Sequence, residues 1–286
     1  MLHKTQCQHA LLSRTYLLWT RHCAAYNRII RQSGALINSA LFRCQVMCLI
    51  LFANRPNEKY RLVIAANRDE FYARDANRAA FWSDNPQILA GRDLTAGGTW
   101  LGVNRNGRFA AVTNFRETPP EPLPPKSRGE LTTNFLNNTQ SARDYVNDLK
   151  ASKDLYKGFN LIVDDGSECV YYSNRAHAQI LESGFYGLSN QLLDCDWPKV
   201  VSGREELAKL VRANNVEHDA LLGLLLDEGN GDAFSNSFIK TAEYGTCAST
   251  ILTISTTGEL QFIETGFTTA GKKESEKSYN FVVGEA

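Results

Sequence analysis

Two short, almost wholly apolar runs separated by a polar loop constrain this chain more than any other feature. Cys48 to Ala53 is uninterrupted, and Tyr60 to Ala66 is broken only by Arg61 near its start. Asn54, Pro56 and Asn57 lie between them. Runs this short, bounded by turn formers, read as strands. Apolar residues at every position, rather than at every second one, place covering layers on both sides of their sheet. The second run leads into Asn67-Arg68-Asp69-Glu70, a compact set of charged and amide side chains expected at its end.

The remainder alternates blocks of strands and helices without the regular βα rhythm of a doubly wound sheet. Phe71 to Asp84 reads as irregular, with Phe81-Trp82 packing inward, and Gln87 to Ala90 reads as a short strand. Trp100 to Asn104 and Phe109 to Thr113 form a hairpin through Asn106-Gly107. Five of the eight prolines fall in Pro119 to Pro125, which requires an extended loop. Gly129 to Phe135 and Ala142 to Leu149 are helical, the second capped by Ser141 with Asp144 in its first turn. Strands are expected at Phe159 to Val163, Cys169 to Tyr172, Ile180-Leu181 and Tyr186 to Leu188. Helices follow at Arg204 to Ala213 and Asp219 to Leu226, then a loop at Gly229 to Asp232. Thr246 to Ser255 and Leu260 to Glu264 make the last hairpin, with Tyr279 to Val283 at an edge.

Charge divides the chain at one point. Residues 1–46 hold six of its 31 Lys and Arg and none of its 31 Asp and Glu, so residues 47–286 carry 25 basic against 31 acidic residues, about −6. A mildly acidic body lacks the concentrated basic footprint of a nucleic-acid surface. The acid-free segment, with Arg14, Arg21 and Arg28 seven apart, has the composition of an organelle transit peptide; an upstream extension dispensable to the working protein, or a folded accessory helix, are the other readings. We therefore treat 1–46 as a basic extension and 47–286 as one domain. Seven irregularly spaced cysteines indicate a reducing compartment, the cytoplasm, or the mitochondrion if 1–46 is a transit peptide. No apolar stretch reaches 18 residues, so no membrane span is expected.

The candidate nucleophile is Cys48. A cysteine in an apolar strand is ordinarily a buried small hydrophobe. Met47-Cys48, however, is what a chain start looks like, and a first-residue cysteine can use its own α-amine as the base for its thiol. Histidine is then unnecessary, and the body contains only His177 and His218. Arg68 is a donor fork for a carboxylate or a developing oxyanion, Asp69 a group to orient the amine, and Asn67 a hydrogen-bond donor. Adjacent strand residues point to opposite faces, so all three share one site only where the strand ends or bulges. Gly97-Gly98 lacks the GK[ST] of a phosphate loop and permits close backbone approach beside Trp100, whose ring is core or pocket wall. Metal binding is not expected: there is no CxxC, and Asp227, Glu228 and Asp232 lack calcium-loop spacing. No cofactor is expected either.

Several ordered motifs then align with a known family. Ala65-Ala66-Asn67-Arg68-Asp69-Glu70-Phe71, Gly97-Gly98-Thr99-Trp100-Leu101-Gly102, Ala111-Val112-Thr113-Asn114, Ser127-Arg128-Gly129-Glu130-Leu131, Gly158-Phe159-Asn160-Leu161, Tyr186-Gly187-Leu188-Ser189-Asn190 and Tyr244-Gly245-Thr246 together resemble the NRDE family, also called the transport-and-Golgi-organisation protein 2 family. The resemblance implies an α+β fold, a four-layer αββα sandwich of the N-terminal-nucleophile hydrolase type, with Cys48 at the position of a mature first residue. More distantly, the pattern is similar to cysteine amidases acting on bile-acid conjugates and penicillin V. That similarity implies Arg68 and Asp69 flanking the thiol and Asn190 or Asn114 stabilising an oxyanion; Asn67, Trp100 and Asn114 are the candidate residues of a ligand pocket. Family members are linked to Golgi organisation, haem handling and lipid homeostasis, which implies a non-catalytic binding or trafficking factor whose partner is a small molecule, haem or lipid. The alternative is an amidohydrolase cleaving a C–N bond through Cys48. Two departures bear on hydrolysis: 46 residues precede Met47, and Cys247 stands where the family pattern has an arginine.

Overall fold

The computed structural model describes residues 47–117, 125–230 and 235–284. The basic segment 1–46, most of the proline-rich stretch and part of the loop expected at Gly229 to Asp232 lie outside the described residues.

The first apolar run becomes β1 (Leu49–Asn54), buried at all six positions, and the second opens β2 (Tyr60–Phe71). β2 does not end at Asn67. It carries the whole Asn67-Arg68-Asp69-Glu70 set within the strand, because β11 (Tyr244–Ser255) pairs along its length from Phe71 to Tyr60. With β10 (Gly184–Leu188), β12 (Glu259–Phe267) and β13 (Lys273–Val282), these strands form a six-stranded sheet in the order β10-β1-β2-β11-β12-β13. The second sheet runs in sequence order through β3 (Ala76–Trp82), β4 (Asn85–Asp93), β5 (Leu101–Asn104), β6 (Phe109–Asn114), β7 (Phe159–Asp164), β8 (Cys169–Ser173) and β9 (Gln179–Ile180). Every pairing within the two sheets is antiparallel.

Strand parity sorts the side chains into three apolar layers. Ile50, Phe52, Leu62 and Ile64 of the six-stranded sheet meet Leu89, Val103, Phe109 and Ile162 of the other between the sheets. Leu49, Leu51, Val63 and Ala65 point the opposite way, onto α3 (Pro198–Arg212) and α4 (His218–Leu225). The outer face of the second sheet is covered by α1 (Gly129–Asn137) and α2 (Ala142–Leu149). The order of layers is αββα, the four-layer sandwich expected from sequence. Ser141 caps α2 by accepting from the Asp144 backbone N–H, also as expected.

Two further expectations need correction. The supposedly irregular stretch after Phe71 contains β3, whose pairing with β4 slips between Asn77 and Ala80 and so loses the clean period-two pattern. Helix α3 begins at Pro198, not Arg204, with proline in its first turn where a missing N–H does no harm. The Gly97-Gly98 pair does permit close approach: Gly97 has φ 78°, and a Cβ on Gly98 would lie 2.6 Å from the backbone carbon of Gly129 at the start of α1. Backbone cannot swing away as a side chain can. Gly98→Ala is therefore expected to destabilise the fold by about 1–3 kcal/mol, read as a lower urea midpoint at unchanged m-value.

Candidate functional site

Cys48 immediately precedes β1, whose next residue, Leu49, pairs with Asn67 on β2. On β2, Ala66 packs between the sheets and Ala65 against the helices, so parity places Arg68 and Glu70 on the inter-sheet side and Asn67 and Asp69 on the helical side. β11 adds one irregularity. Thr246 pairs with Asp69 and Ala248 with Arg68, leaving Cys247 as an extra, bulged residue between them. These strand ends border a cavity of about 700 Å³ lined, among others, by Cys48, Arg68, Asp69, Trp100, Asn114 and Cys247.

The predicted residues thus separate. Asn67 is fully buried outside the cavity lining. Its amide donates to the carbonyls of Leu225 and Ser237, both at 2.8 Å, and its oxygen accepts from Ser249 Oγ, so it ties the helical layer to β2. Asn190 is also buried outside the lining and donates through Nδ2 to the Asn114 carbonyl at 2.8 Å. Arg68 faces the cavity with its side chain 13% exposed. Among the described residues its guanidinium makes no hydrogen bond, and its one ion pair is to Glu70 at 3.7 Å.

Asp69 has no exposed surface. Its Oδ1 accepts from Thr246 Oγ1 at 2.6 Å, while Oδ2 has no hydrogen-bond partner among the described residues. Burial pushes its carboxyl up to about 7, against the pull of the Lys199 ammonium. Cys48 is 8% exposed, its Sγ lies 3.7 Å from the Asp69 carbonyl, and burial followed by the Asp69 charge pushes the thiol up to about 12. Met47, 1% exposed, is fixed at both ends: its N–H donates to Tyr244 Oη at 2.6 Å and its carbonyl accepts from Lys199 Nζ at 3.4 Å. Ser189 Oγ donates to the Cys48 carbonyl at 2.7 Å. With Met47 in place the nitrogen of Cys48 belongs to an amide and has no basic lone pair to offer its thiol.

Tyr244, Thr246 and Ser189 lie within recognised motifs but were not singled out as site residues. Lys199 carried no usable signal. A lysine in the first turn of a helix reads as solvent-facing, yet it is 1% exposed and acts on Asp69. Among the described residues, no group of three or more His, Cys, Asp or Glu could hold a metal ion, and no helix is long and apolar enough to cross a membrane.

Residues 47–269, the sheets and helices just described almost in full, match the family model for Transport and Golgi organisation 2. The chain belongs to this family. The mouse Transport and Golgi organization 2 homolog is 34% identical over 255 residues, covering 76% of this chain and 92% of the mouse protein. The human Transport and Golgi organization protein 2 homolog matches to the same extent. Drosophila melanogaster Transport and Golgi organization protein 2 is 26% identical over 262 residues, covering 76% of this chain and 91% of the fly protein. Among solved structures, a Caenorhabditis elegans ortholog of N-acylethanolamine-hydrolyzing acid amidase is similar at 11% identity and a TM-score of 0.45, covering 72% of this chain and 92% of that one. The Transport and Golgi organisation 2 fold is here a four-layer αββα sandwich.

Proposed function

We propose that this chain is a ligand-binding member of its family, serving transport or the organisation of Golgi and other membranes in the cytoplasm, with haem or a lipid as its cargo class. The observation that carries this reading is Arg68: a guanidinium without a hydrogen-bond partner among the described residues, on the wall of a cavity of about 700 Å³ that Trp100 also lines. A guanidinium fork suits a propionate, carboxylate or phosphate, and an indole wall suits an apolar body. The neighbouring thiol is held protonated by burial, which favours binding over bond cleavage. The names of the mouse and fly relatives support the cellular role. Titration with haem, followed by its absorbance, and with phosphatidic acid in vesicles tests the reading. Arg68→Met is expected to weaken saturable binding by about 10- to 100-fold, as loss of a charge-assisted contact does. Equal affinity in the variant would remove Arg68 from the account.

One observation favours a second reading, a cysteine amidohydrolase. The unpartnered Oδ2 of Asp69 lies on a residue that touches Cys48. In a form beginning at Cys48, that carboxylate could hold the new α-ammonium group. After deprotonation, the amine would take the thiol proton, sulfur would add to an amide carbonyl, the amine leaving group would depart with the proton, and water would hydrolyse the thioester. Intact mass of protein from its own cells tests the first requirement: no species beginning at Cys48 means no such enzyme.

A further inference from the structure

Two interruptions in strand pairing face the same cavity from different sheets. In β3 the register slips between Asn77 and Ala80, across Arg78 and Ala79; in β11 Cys247 is the extra residue. A bulge re-aims the side chain it carries. Here Arg78 crosses from one sheet to the other, its Nη1 donating to the Cys247 carbonyl at 2.8 Å and its Nη2 to Glu274 Oε2 at 2.7 Å. The guanidinium occupies space that only glycine leaves open: a Cβ on Gly266 would lie 2.4 Å from Arg78 Cζ. Gly266 pairs with Ala248, which pairs with Arg68, so one cross-strand row sets Arg68 at one end and Arg78 over the other. The bulged Cys247 adjoins this row, half-buried and on the cavity wall.

A strut between sheets would explain the bond to Cys247. It does not explain why Arg78 lines the cavity, where its second partner, Glu274, is 54% exposed. Both arginines also act on Cys247 and on Glu264, a buried carboxyl that accepts from the Ala79 N–H at 2.8 Å. We propose that Arg78 and Arg68 together form a two-guanidinium seat for the oxyanion head of the ligand, carboxylate or phosphate, and that Arg78 makes the cavity selective for anionic over neutral molecules. This rests on the reading of the cavity as a ligand site. Planar forks at both ends of the row can grip one head group from two sides, which a single arginine cannot do.

Cys247 provides a reporter inside the seat. Iodoacetate and iodoacetamide both alkylate a thiolate by displacing iodide, are nearly equal in size, and differ by one negative charge. The ratio of their rates at one cysteine cancels its thiolate fraction and its exposure, leaving the local preference for an anion. Rates are read by peptide mass mapping of the full chain, with the half-buried Cys195, outside the cavity lining, as internal reference. In the wild type, the iodoacetate-to-iodoacetamide ratio at Cys247 is expected to exceed that at Cys195 by about fivefold or more. Arg78→Met is expected to lower it about fivefold, the effect of one unit charge at close range in partly hydrated surroundings. Arg78→Lys, which keeps the charge, should lower it less than about twofold. An unchanged ratio in Arg78→Met with a lowered one in Arg68→Met overturns the seat and leaves the ligand reading intact. No change in either variant overturns both. A wild-type ratio at Cys247 no higher than at Cys195 overturns the seat without any variant.

Discussion

Lys199→Met is expected to lose about 3–5 kcal/mol of stability at pH 8, the usual consequence of stripping a buried charge of its partner. The lysine is 1% exposed and its positive charge opposes the desolvation of Asp69, which has no exposure at all. The loss should shrink towards pH 5, and the sign follows from the carboxyl. Its folded value is about 7, above the roughly 3.9 of an unfolded aspartate, so between those values the native state binds more protons than the unfolded one. This group's contribution is therefore favourable below about pH 4 and falls by about 4 kcal/mol as pH rises through 7. Removing the ammonium raises the cost of ionising Asp69 further, a penalty absent where Asp69 is already protonated. Urea unfolding at pH 5 and pH 8 reads the difference, together with a fall of about 10 °C in Tm at pH 8. Lys209→Met, at an exposed position of the same helix where the ammonium pairs with Glu206, should stay within about 0.5 kcal/mol of wild type at both pH values. Similar losses for both variants would refute the burial argument.

Cys48 is expected to react with iodoacetamide about a thousandfold more slowly at pH 8 than an unperturbed cysteine. A thiol pushed up to about 12 is only about one part in ten thousand thiolate at that pH, and the thiolate is the reacting form. The rate should climb about tenfold per pH unit until the fold fails, and should become ordinary in denaturant. Alkylation at an ordinary rate in the folded protein would mean that Cys48 is activated, and would favour the amidohydrolase.

The centre of the fold was legible because Leu49 to Ala53 of β1 and Leu62 to Ala66 of β2 are apolar at every position, and so short a run buries both faces between covering layers. Arg68 was legible too, since parity sets it beside Cys48 on the inter-sheet side. The same parity removes Asn67, whose amide is engaged with Leu225 and Ser237 on the helical side. β3 was missed because the slip at Arg78 and Ala79 destroys alternation, and α3 started early because Pro198 was not read as a helix opening. Lys199 and Tyr244 lie 152 and 197 residues from the Met47 backbone groups they hold. Nothing local in their sequence surroundings marks that meeting; only the packing of α3 and β11 around β1 and β2 creates it.

The central claim is that the cavity binds its ligand through Arg68 and does not need the Cys48 thiol. Titrating wild type and Cys48→Ala with haem and with phosphatidic acid vesicles tests it most directly. The account predicts saturable binding of at least one of the two, with a Kd within about twofold in the variant, since removing a protonated, nearly buried thiol takes away little contact. Absence of saturable binding to either ligand would contradict the account, as would its loss in Cys48→Ala together with an acyl adduct on Cys48 in the wild type.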